Sequence, residues 1–176
     1  MAERYLRDVR FLIVDDTEFV RNTVRSVLKQ LGSQHIEEAQ DGGEALQVLQ
    51  TFMPDIIVLN WEMEPVNGID FARKVRGRAD TPYSFIPIIM LTGHADPERV
   101  ATARDAGVNE FVVKPFSAKG LFSRIQTVIE RPRSFVKVES YFGPDRRRKM
   151  VPLVEGEEDR RGKPSAATDE DDESQS

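Results

Sequence analysis

Cysteine is absent from this 176-residue sequence, and histidine and tryptophan are scarce. Without cysteine, neither a disulfide framework nor a thiolate metal site can form. The only histidines, His35 and His94, are too few and too scattered to indicate a zinc site. These absences exclude disulfide scaffolds and cysteine-based metal modules.

Long apolar runs are also absent, because no stretch approaches the roughly 20 residues that a membrane span requires. Residues 1–10 are polar and charged, which is not the pattern of a signal peptide. The net charge of −5 is mild and indicates no particular partner. We therefore expect a soluble, cytoplasmic protein without a membrane span.

Two periodicities alternate through residues 1–130: apolar runs of strand length, and apolar positions at helical spacing. Each predicted strand is followed by a predicted helix, and helix starts and stops carry capping residues such as Asp41, Asp96, Ser117 and the terminating Gly107. The predicted strands lie at 9–14, 35–39, 55–59, 86–91 and 110–113.

Strands that alternate with helices form right-handed crossovers, and hence a parallel sheet with helices on both faces. The expected fold is therefore α/β, a doubly wound five-stranded parallel sheet with five helices, over residues 1–130. We expect an arginine-rich extension over residues 131–149. Residues 150–176 have few apolar groups to offset ordering entropy, which predicts a flexible, disordered acidic tail.

Polar side chains follow the predicted strands, where chemistry is located in such sheets. Asp15 and Asp16 follow the first strand, Asn60 the third, Thr92 the fourth and Lys114 the fifth. Two adjacent carboxylates would repel unless a hard cation lay between them, and oxygen ligands suit Mg²⁺. Lysine and threonine could pair with phosphoryl oxygens. The candidate metal ligands are Asp15, Asp16, Asn60 and Glu62.

This set resembles the receiver domain of bacterial response regulators, a flavodoxin-like, CheY-like fold, and the resemblance covers residues 8–130. It rests on Asp15-Asp16, Gly68, Thr92 and the segment Lys114-Pro115-Phe116. The resemblance implies that Thr92 and Lys114 are switch residues, that Phe111 is the switch aromatic, and that the Lys114–Pro115 bond is cis.

The phosphoacceptor position is a departure from that family, because Asn60 stands where receivers carry aspartate. A carboxylate oxygen can attack phosphorus, whereas a neutral amide is a very poor nucleophile. Asn60 also removes a negative charge from the site, so Mg²⁺ should bind more weakly. Two explanations fit: a natural pseudo-receiver that signals without phosphorylation, or deliberate replacement of the acceptor by its isostere.

The extension combines arginine, aspartate and aromatic side chains. Arginine forks suit phosphate and the O6/N7 edge of guanine, aspartate can accept from guanine N1 and N2, and aromatic rings can stack on bases. Such a segment suits a guanine nucleotide with exposed phosphates. The candidate ligand-binding residues are Arg131, Arg133, Tyr141, Phe142, Asp145, Arg146, Arg147 and Arg148.

Residues 141–148 also resemble the arginine-rich extension of CheY-like proteins that bind cyclic di-GMP and act on the flagellar motor. That resemblance implies cyclic di-GMP as a ligand. Two other interpretations stay open: a solvated basic run that pairs with the acidic stretch 155–159, or a contact with another acidic partner. The flanking acidic stretch opposes nucleic-acid binding, so no DNA partner is expected.

We therefore expect a monomeric signalling adaptor rather than an enzyme, regulated by cyclic di-GMP. The resemblance implies a histidine kinase or flagellar-motor partner, docked on the face of the fourth helix, fifth strand and fifth helix. The alternative is an ordinary phosphorelay receiver whose acceptor aspartate has been replaced by Asn60 and which binds no nucleotide.

Overall fold

The computed structural model of the protein describes residues 5–77 and 80–147. Strands and helices alternate up to residue 130, as the periodicity predicts, and two further strands follow. The strands are β1 (Arg10–Val14), β2 (His35–Ala39), β3 (Ile56–Asn60), β4 (Ile88–Thr92), β5 (Glu110–Val113), β6 (Phe135–Val138) and β7 (Tyr141–Pro144). The helices are α1 (Glu18–Gln30), α2 (Gly42–Val48), α3 (Gly68–Arg76), α4 (Pro97–Asp105) and α5 (Ala118–Glu130), with a short 3-10 helix at Pro82–Phe85.

The first five strands form one parallel sheet in the order β2-β1-β3-β4-β5. Its register pairs Val14 with Leu59, and Thr92 with Val113. The ends of β1, β3, β4 and β5 therefore lie along one edge. The predicted doubly wound, five-stranded fold is confirmed.

Helices cover both faces of this sheet because its central strands are apolar on both sides. Phe11 and Ile13 face α1 and α5, in a cluster that contains Leu28 and Ile125. On the other face, residues such as Leu59 pack with the buried side chains of α2, α3 and α4. Every residue of β3 and β4 is buried, which fixes the site-bearing strand ends rigidly.

The predicted helix caps are present. The Asp41 carboxylate accepts hydrogen bonds from two first-turn amides of α2, and Asp96 and Ser117 accept from amides of α4 and α5. Gly107 ends α4 with a φ of 89°, a conformation that a side chain would strain. The local sequence therefore sets these helix limits.

The arginine-rich extension after α5 contains two strands, β6 and β7, which the sequence analysis did not predict. β6 and β7 pair as an antiparallel hairpin that packs on the receiver body. Its aromatic side chains Phe135 and Phe142 lie 5.3 and 5.2 Å from the ring of Phe85, centroid to centroid, and 5.7 Å from each other. The described residues up to Arg146 accordingly belong to one compact unit. The predicted disordered segment, 150–176, lies outside the described residues.

A buried arginine anchors this hairpin to the body. Arg76, only 3% exposed, donates to the carbonyl oxygens of Gly107 (3.0 Å) and Ser84 (2.6 Å) and to Asn109 Oδ1 (3.0 Å). Its guanidinium lies 5.0 Å from the ring centroid of Phe135. Burial lowers the pKa of Arg76 to about 10, so it remains protonated at neutral pH. A cation therefore holds α3, the α4–β5 turn and the hairpin together.

Within residues 5–77 and 80–147, no helix is both long and apolar enough to cross a membrane.

Candidate functional site

The polar residues predicted at the strand ends meet at one edge of the sheet. Asp15 follows β1, Asn60 ends β3, Thr92 ends β4, and Lys114 follows β5. Because β3 lies between β1 and β4, Asn60 occupies the centre of this group. The Lys114–Pro115 peptide bond is cis, as the resemblance implies.

The Asn60 amide is fixed by hydrogen bonds on both of its ends. Lys114 Nζ donates to Asn60 Oδ1 at 2.8 Å. Asn60 Nδ2 donates to the carbonyl oxygen of Glu62 at 2.8 Å and to Asp16 Oδ1 at 3.4 Å. The side chain is only 6% exposed. The amide is therefore held as a neutral group between a cation and a carboxylate.

The Asp15 carboxylate is fully buried and only half satisfied. Its Oδ1 accepts from the Thr17 amide at 2.8 Å. Its Oδ2 has no hydrogen-bond partner, and Lys114 Nζ lies 3.6 Å from it. Burial raises the pKa of Asp15 above its ordinary value, while the Thr17 hydrogen bond and the Lys114 charge oppose the rise. Asp15 thus presents a carboxylate oxygen that accepts no hydrogen bond.

The donor atoms fit Mg²⁺ only in part. The Asp15 oxygen without a partner, the Asp16 carboxylate and the Glu62 carbonyl oxygen are the hard donors that this ion prefers. Asn60, however, turns its amide nitrogen toward Asp16. Within the described ranges, no group of three or more His, Cys, Asp or Glu side chains is placed to hold a metal. The four predicted ligands, Asp15, Asp16, Asn60 and Glu62, stay a prediction, and the hard oxygen donors in this structure are the two aspartate carboxylates and the Glu62 main-chain oxygen.

The Glu62 side chain is the predicted ligand that points elsewhere. Its Oε1 accepts from Arg99 Nη2 at 3.0 Å. The Arg99 guanidinium also lies 4.9 Å from the ring centroid of Trp61. The sequence analysis did not identify Arg99, because nothing in the neighbouring sequence distinguishes a functional cation in the first turn of an exposed helix from a solvated one. It links α4 to the loop after the acceptor position.

Two of the three predicted switch residues, Thr92 and Phe111, lie on adjacent strands beside α4. Thr92 is 4% exposed, and its hydroxyl donates to the carbonyl oxygen of His94 at 2.9 Å. Phe111 is half-buried against the core cluster under α2, α3 and α4. Both therefore lie on the α4 side of the sheet.

We expect Asp15→Asn to stabilise the metal-free protein by about 1 kcal/mol, because it removes a buried charge. The pKa of Asp15 is higher in the folded state than in the unfolded state, so the protonated carboxyl stabilises the fold at low pH, and this stabilisation is lost as the pH rises through the folded-state pKa. The stabilisation of Asp15→Asn relative to the wild type should therefore be present at pH 7 and absent at acidic pH. Urea unfolding at both pH values, with and without Mg²⁺, measures it.

For the comparison without Mg²⁺, the exposed neighbour Asp16 supplies the control, since Asp16→Asn removes a charge that is already solvated and should change stability little. Added Mg²⁺ should stabilise the wild type and leave Asp15→Asn unchanged. Equal stabilisation of Asp15→Asn and wild type by Mg²⁺ would show that Asp15 is not a ligand.

The predicted ligand-binding residues of the extension are engaged with the receiver body. Arg146 Nη1 lies 2.9 Å from Asp105 Oδ1, and the Arg146 guanidinium lies 3.7 Å from the ring centroid of Tyr141. Arg133 Nη2 lies 3.4 Å from Glu110 Oε1. Because Asp105 ends α4 and Glu110 begins β5, the arginines reach the α4–β5 region.

These residues do not converge on a single cleft. Arg131 and Arg133 line a cleft of about 200 Å³ beside Phe85, whereas Tyr141 and Phe142 line another of about 370 Å³ beside α3. Asp145 follows β7, where its amide donates to Ser134 O at 2.7 Å, and Arg147 is exposed. Arg148 lies outside the described residues.

Comparison with known proteins agrees with this geometry. Residues 11–126 match the family model described as the response regulator receiver domain. Chemotaxis protein CheY of Pseudomonas aeruginosa is 38% identical over 123 residues, which cover 70% of this chain and 98% of that protein. Chemotaxis protein CheY-3 of Vibrio cholerae serotype O1 is 36% identical over 125 residues, covering 71% of this chain and 95% of that protein.

The structural likeness covers the same region. The solved structure of Vibrio cholerae chemotaxis protein CheY4 is 33% identical, with a TM-score of 0.63, and covers 68% of this chain and 98% of that one. The family match ends at residue 126, before the β6–β7 hairpin begins. The hairpin and its arginines therefore lie outside the shared domain.

Proposed function

We propose, from the premise that this chain belongs to the response regulator receiver family, that it is a CheY-like signalling adaptor whose state is not set by phosphorylation at residue 60. The hydrogen-bonded Asn60 amide carries this proposal. Lys114 and the Glu62 carbonyl oxygen hold it in the place of the acceptor. An amide offers no carboxylate oxygen to form an acyl phosphate, so the signal must enter elsewhere.

The output of such an adaptor is binding to a protein partner, and we place it on the face formed by α4, β5 and α5. A histidine kinase or a flagellar-motor protein in the cytoplasm is the class of partner that suits a CheY-like domain. The extension contacts this face through Arg146 at Asp105 and Arg133 at Glu110. A ligand that moved the extension would therefore alter the partner surface.

Cyclic di-GMP is the ligand that we propose for the extension. The favouring observation is the stack of the Arg146 guanidinium on the Tyr141 ring, because this pair offers a planar cation to a guanine base or phosphate. Ligand phosphates would compete with Asp105 for Arg146. Exposed ion pairs of this kind are worth about 1 kcal/mol or less, so a phosphodiester can displace the carboxylate.

Calorimetric titration of cyclic di-GMP into the full chain tests this function. We expect saturable binding that weakens at least about tenfold in Arg146→Ala/Arg147→Ala, since each charged hydrogen bond contributes about 1.5–3 kcal/mol. Arg124→Ala is the matched control, because Arg124 also pairs with Glu110 but lies on α5.

Substitution is a sharper test than truncation after residue 130, because truncation would uncover Phe85 and remove the Phe135 ring from Arg76. No binding by the wild-type chain would reject the nucleotide proposal. Equal weakening by Arg124→Ala and by the paired substitution would indicate a general charge effect instead.

A second candidate function is an ordinary phosphorelay receiver without a nucleotide ligand. The retained residues Asp15, Asp16, Thr92 and Lys114 favour it, because all surround the acceptor position. Mg²⁺, held by Asp15 and Asp16, would neutralise phosphoryl charge there. Phosphoryl uptake by Asn60→Asp together with no binding of cyclic di-GMP by the full chain would favour this second candidate, whereas nucleotide binding would favour the first.

A further inference from the structure

The cleft of about 370 Å³ beside α3 contains cations that the arginine-rich motif does not include. It lies between the last turn of α3, the end of α4 and the turn of the β6–β7 hairpin. Its lining includes Arg73, Arg76, Asp105, Lys137, Tyr141 and Phe142. Ligand pockets in proteins start at about 300 Å³, so the space suits one nucleotide-sized group.

The charges in this cleft favour an anion. Arg73, Arg76 and Lys137 line it against the carboxylates Asp105 and Glu139, and Arg146 already pairs with Asp105. Arg76 donates its hydrogen bonds to acceptors inside the protein, so it contributes positive potential to the cleft rather than a direct contact with a ligand. The remaining cationic potential is available to a ligand.

Arg73 and Lys137 are the two lining cations that can reach a ligand. Both are exposed. Arg73 Nη1 has only a weak ion pair, 3.7 Å from Asp70 Oδ1, with both side chains more than half exposed. Such a pair is readily exchanged for a phosphate. The two cations approach the cleft from different elements, α3 and β6.

Tyr141 lines the same cleft, and the Arg146 guanidinium stacks on the Tyr141 ring. The Tyr141 hydroxyl donates to the Pro144 carbonyl oxygen at 2.8 Å, which fixes the ring. The Arg146 guanidinium covers the ring at 3.7 Å and is itself 39% exposed, so a face of the guanidinium plane remains accessible. A purine can stack on that plane.

We infer that this cleft binds one guanylate half of the cyclic dinucleotide, with Arg73 and Lys137 on the phosphodiester and the base on the Arg146–Tyr141 stack. The inference rests on the proposed function and adds a helix of the receiver body to the binding site. A ligand held there bridges α3 to the hairpin. Occupancy of the cleft therefore fixes the extension on the body.

Titration of cyclic di-GMP into Arg73→Gln and Lys137→Gln tests the inference. Each substitution should weaken binding about tenfold, because each removes a charge-assisted hydrogen bond to phosphate. Lys74→Gln is the matched control: Lys74 is the exposed neighbour of Arg73 but lines a different cleft, beside Leu46. Its affinity should equal that of the wild type.

Asp105→Asn gives a result that misfolding cannot produce. It removes a carboxylate from the cleft and releases Arg146, so binding should tighten about two- to fivefold. If the affinity is unaffected by Arg73→Gln, Lys137→Gln and Asp105→Asn but binding is lost in Arg146→Ala/Arg147→Ala, the inference about the cleft is wrong and the proposed function stands. Absence of wild-type binding would overturn both.

Discussion

Asn60→Asp is expected to take up a phosphoryl group from a small phosphodonor with Mg²⁺, whereas the chain with Asn60 takes up none. The substitution restores a carboxylate nucleophile at the end of β3, next to Lys114 Nζ, which already lies 2.8 Å from the side-chain oxygen at this position. It also adds a third carboxylate beside Asp15 and Asp16, which strengthens the metal site. Intact-mass spectrometry after incubation with acetyl phosphate measures the gain.

The control for this experiment is Asn22→Asp, which makes the same chemical change on α1. Asn22 is exposed and does not line the cleft that contains Asp16 and Glu62, so its carboxylate should remain unmodified. A folded Asn60→Asp protein that stays unphosphorylated would contradict the prediction and favour a natural pseudo-receiver. Uptake by the unaltered chain at residue 60 would contradict the proposed function.

Arg76→Met is expected to lower the free energy of unfolding by about 3 kcal/mol. The substitution removes a donor from the carbonyl oxygens of Ser84 and Gly107 and from Asn109 Oδ1, of which Asn109 Oδ1 keeps a second donor in the Ile88 amide. Each buried acceptor left unsatisfied costs about 1–3 kcal/mol, and part of this cost is offset because a buried cation is no longer desolvated. Urea unfolding at pH 7 measures the loss.

Lys74→Met is the matched control on the same helix, because Lys74 is exposed and should change stability by less than about 0.5 kcal/mol. Equal stability of Arg76→Met and wild type would show that the bonds of Arg76 merely balance the cost of burying its charge. The contact between Arg76 and Phe135 would then contribute nothing to holding the hairpin.

Much of the receiver body was predictable because its signals are local. The apolar runs that became β3 and β4 are buried on both faces and therefore lack polar alternation. Asp41, Asp96 and Ser117 mark helix starts by side-chain bonds within one turn. The polar residues at the strand ends followed from the rule that parallel strands finish at a common edge.

The amino-acid sequence by itself determined that residue 60 carries an amide rather than a carboxylate, and it predicts that no acyl phosphate forms there, since the chemistry of an amide does not depend on the fold. Tertiary structure decided the direction of Glu62, whose carboxylate pairs with Arg99 from another helix. It also decided the position of the hairpin, since a few alternating aromatic residues do not show which surface will receive them.

The clearest case is the last turn of α3, where Arg73, Lys74 and Arg76 look alike in the sequence as cations near a helix C-terminus. Only Arg76 is buried, because its acceptors come from the 3-10 helix and from the α4–β5 turn. These acceptors lie up to 33 positions away. Local periodicity specifies which face of a helix is buried. The hydrogen-bond acceptors that satisfy a buried cation come from distant segments, so only the assembled fold determines which of the three cations is buried.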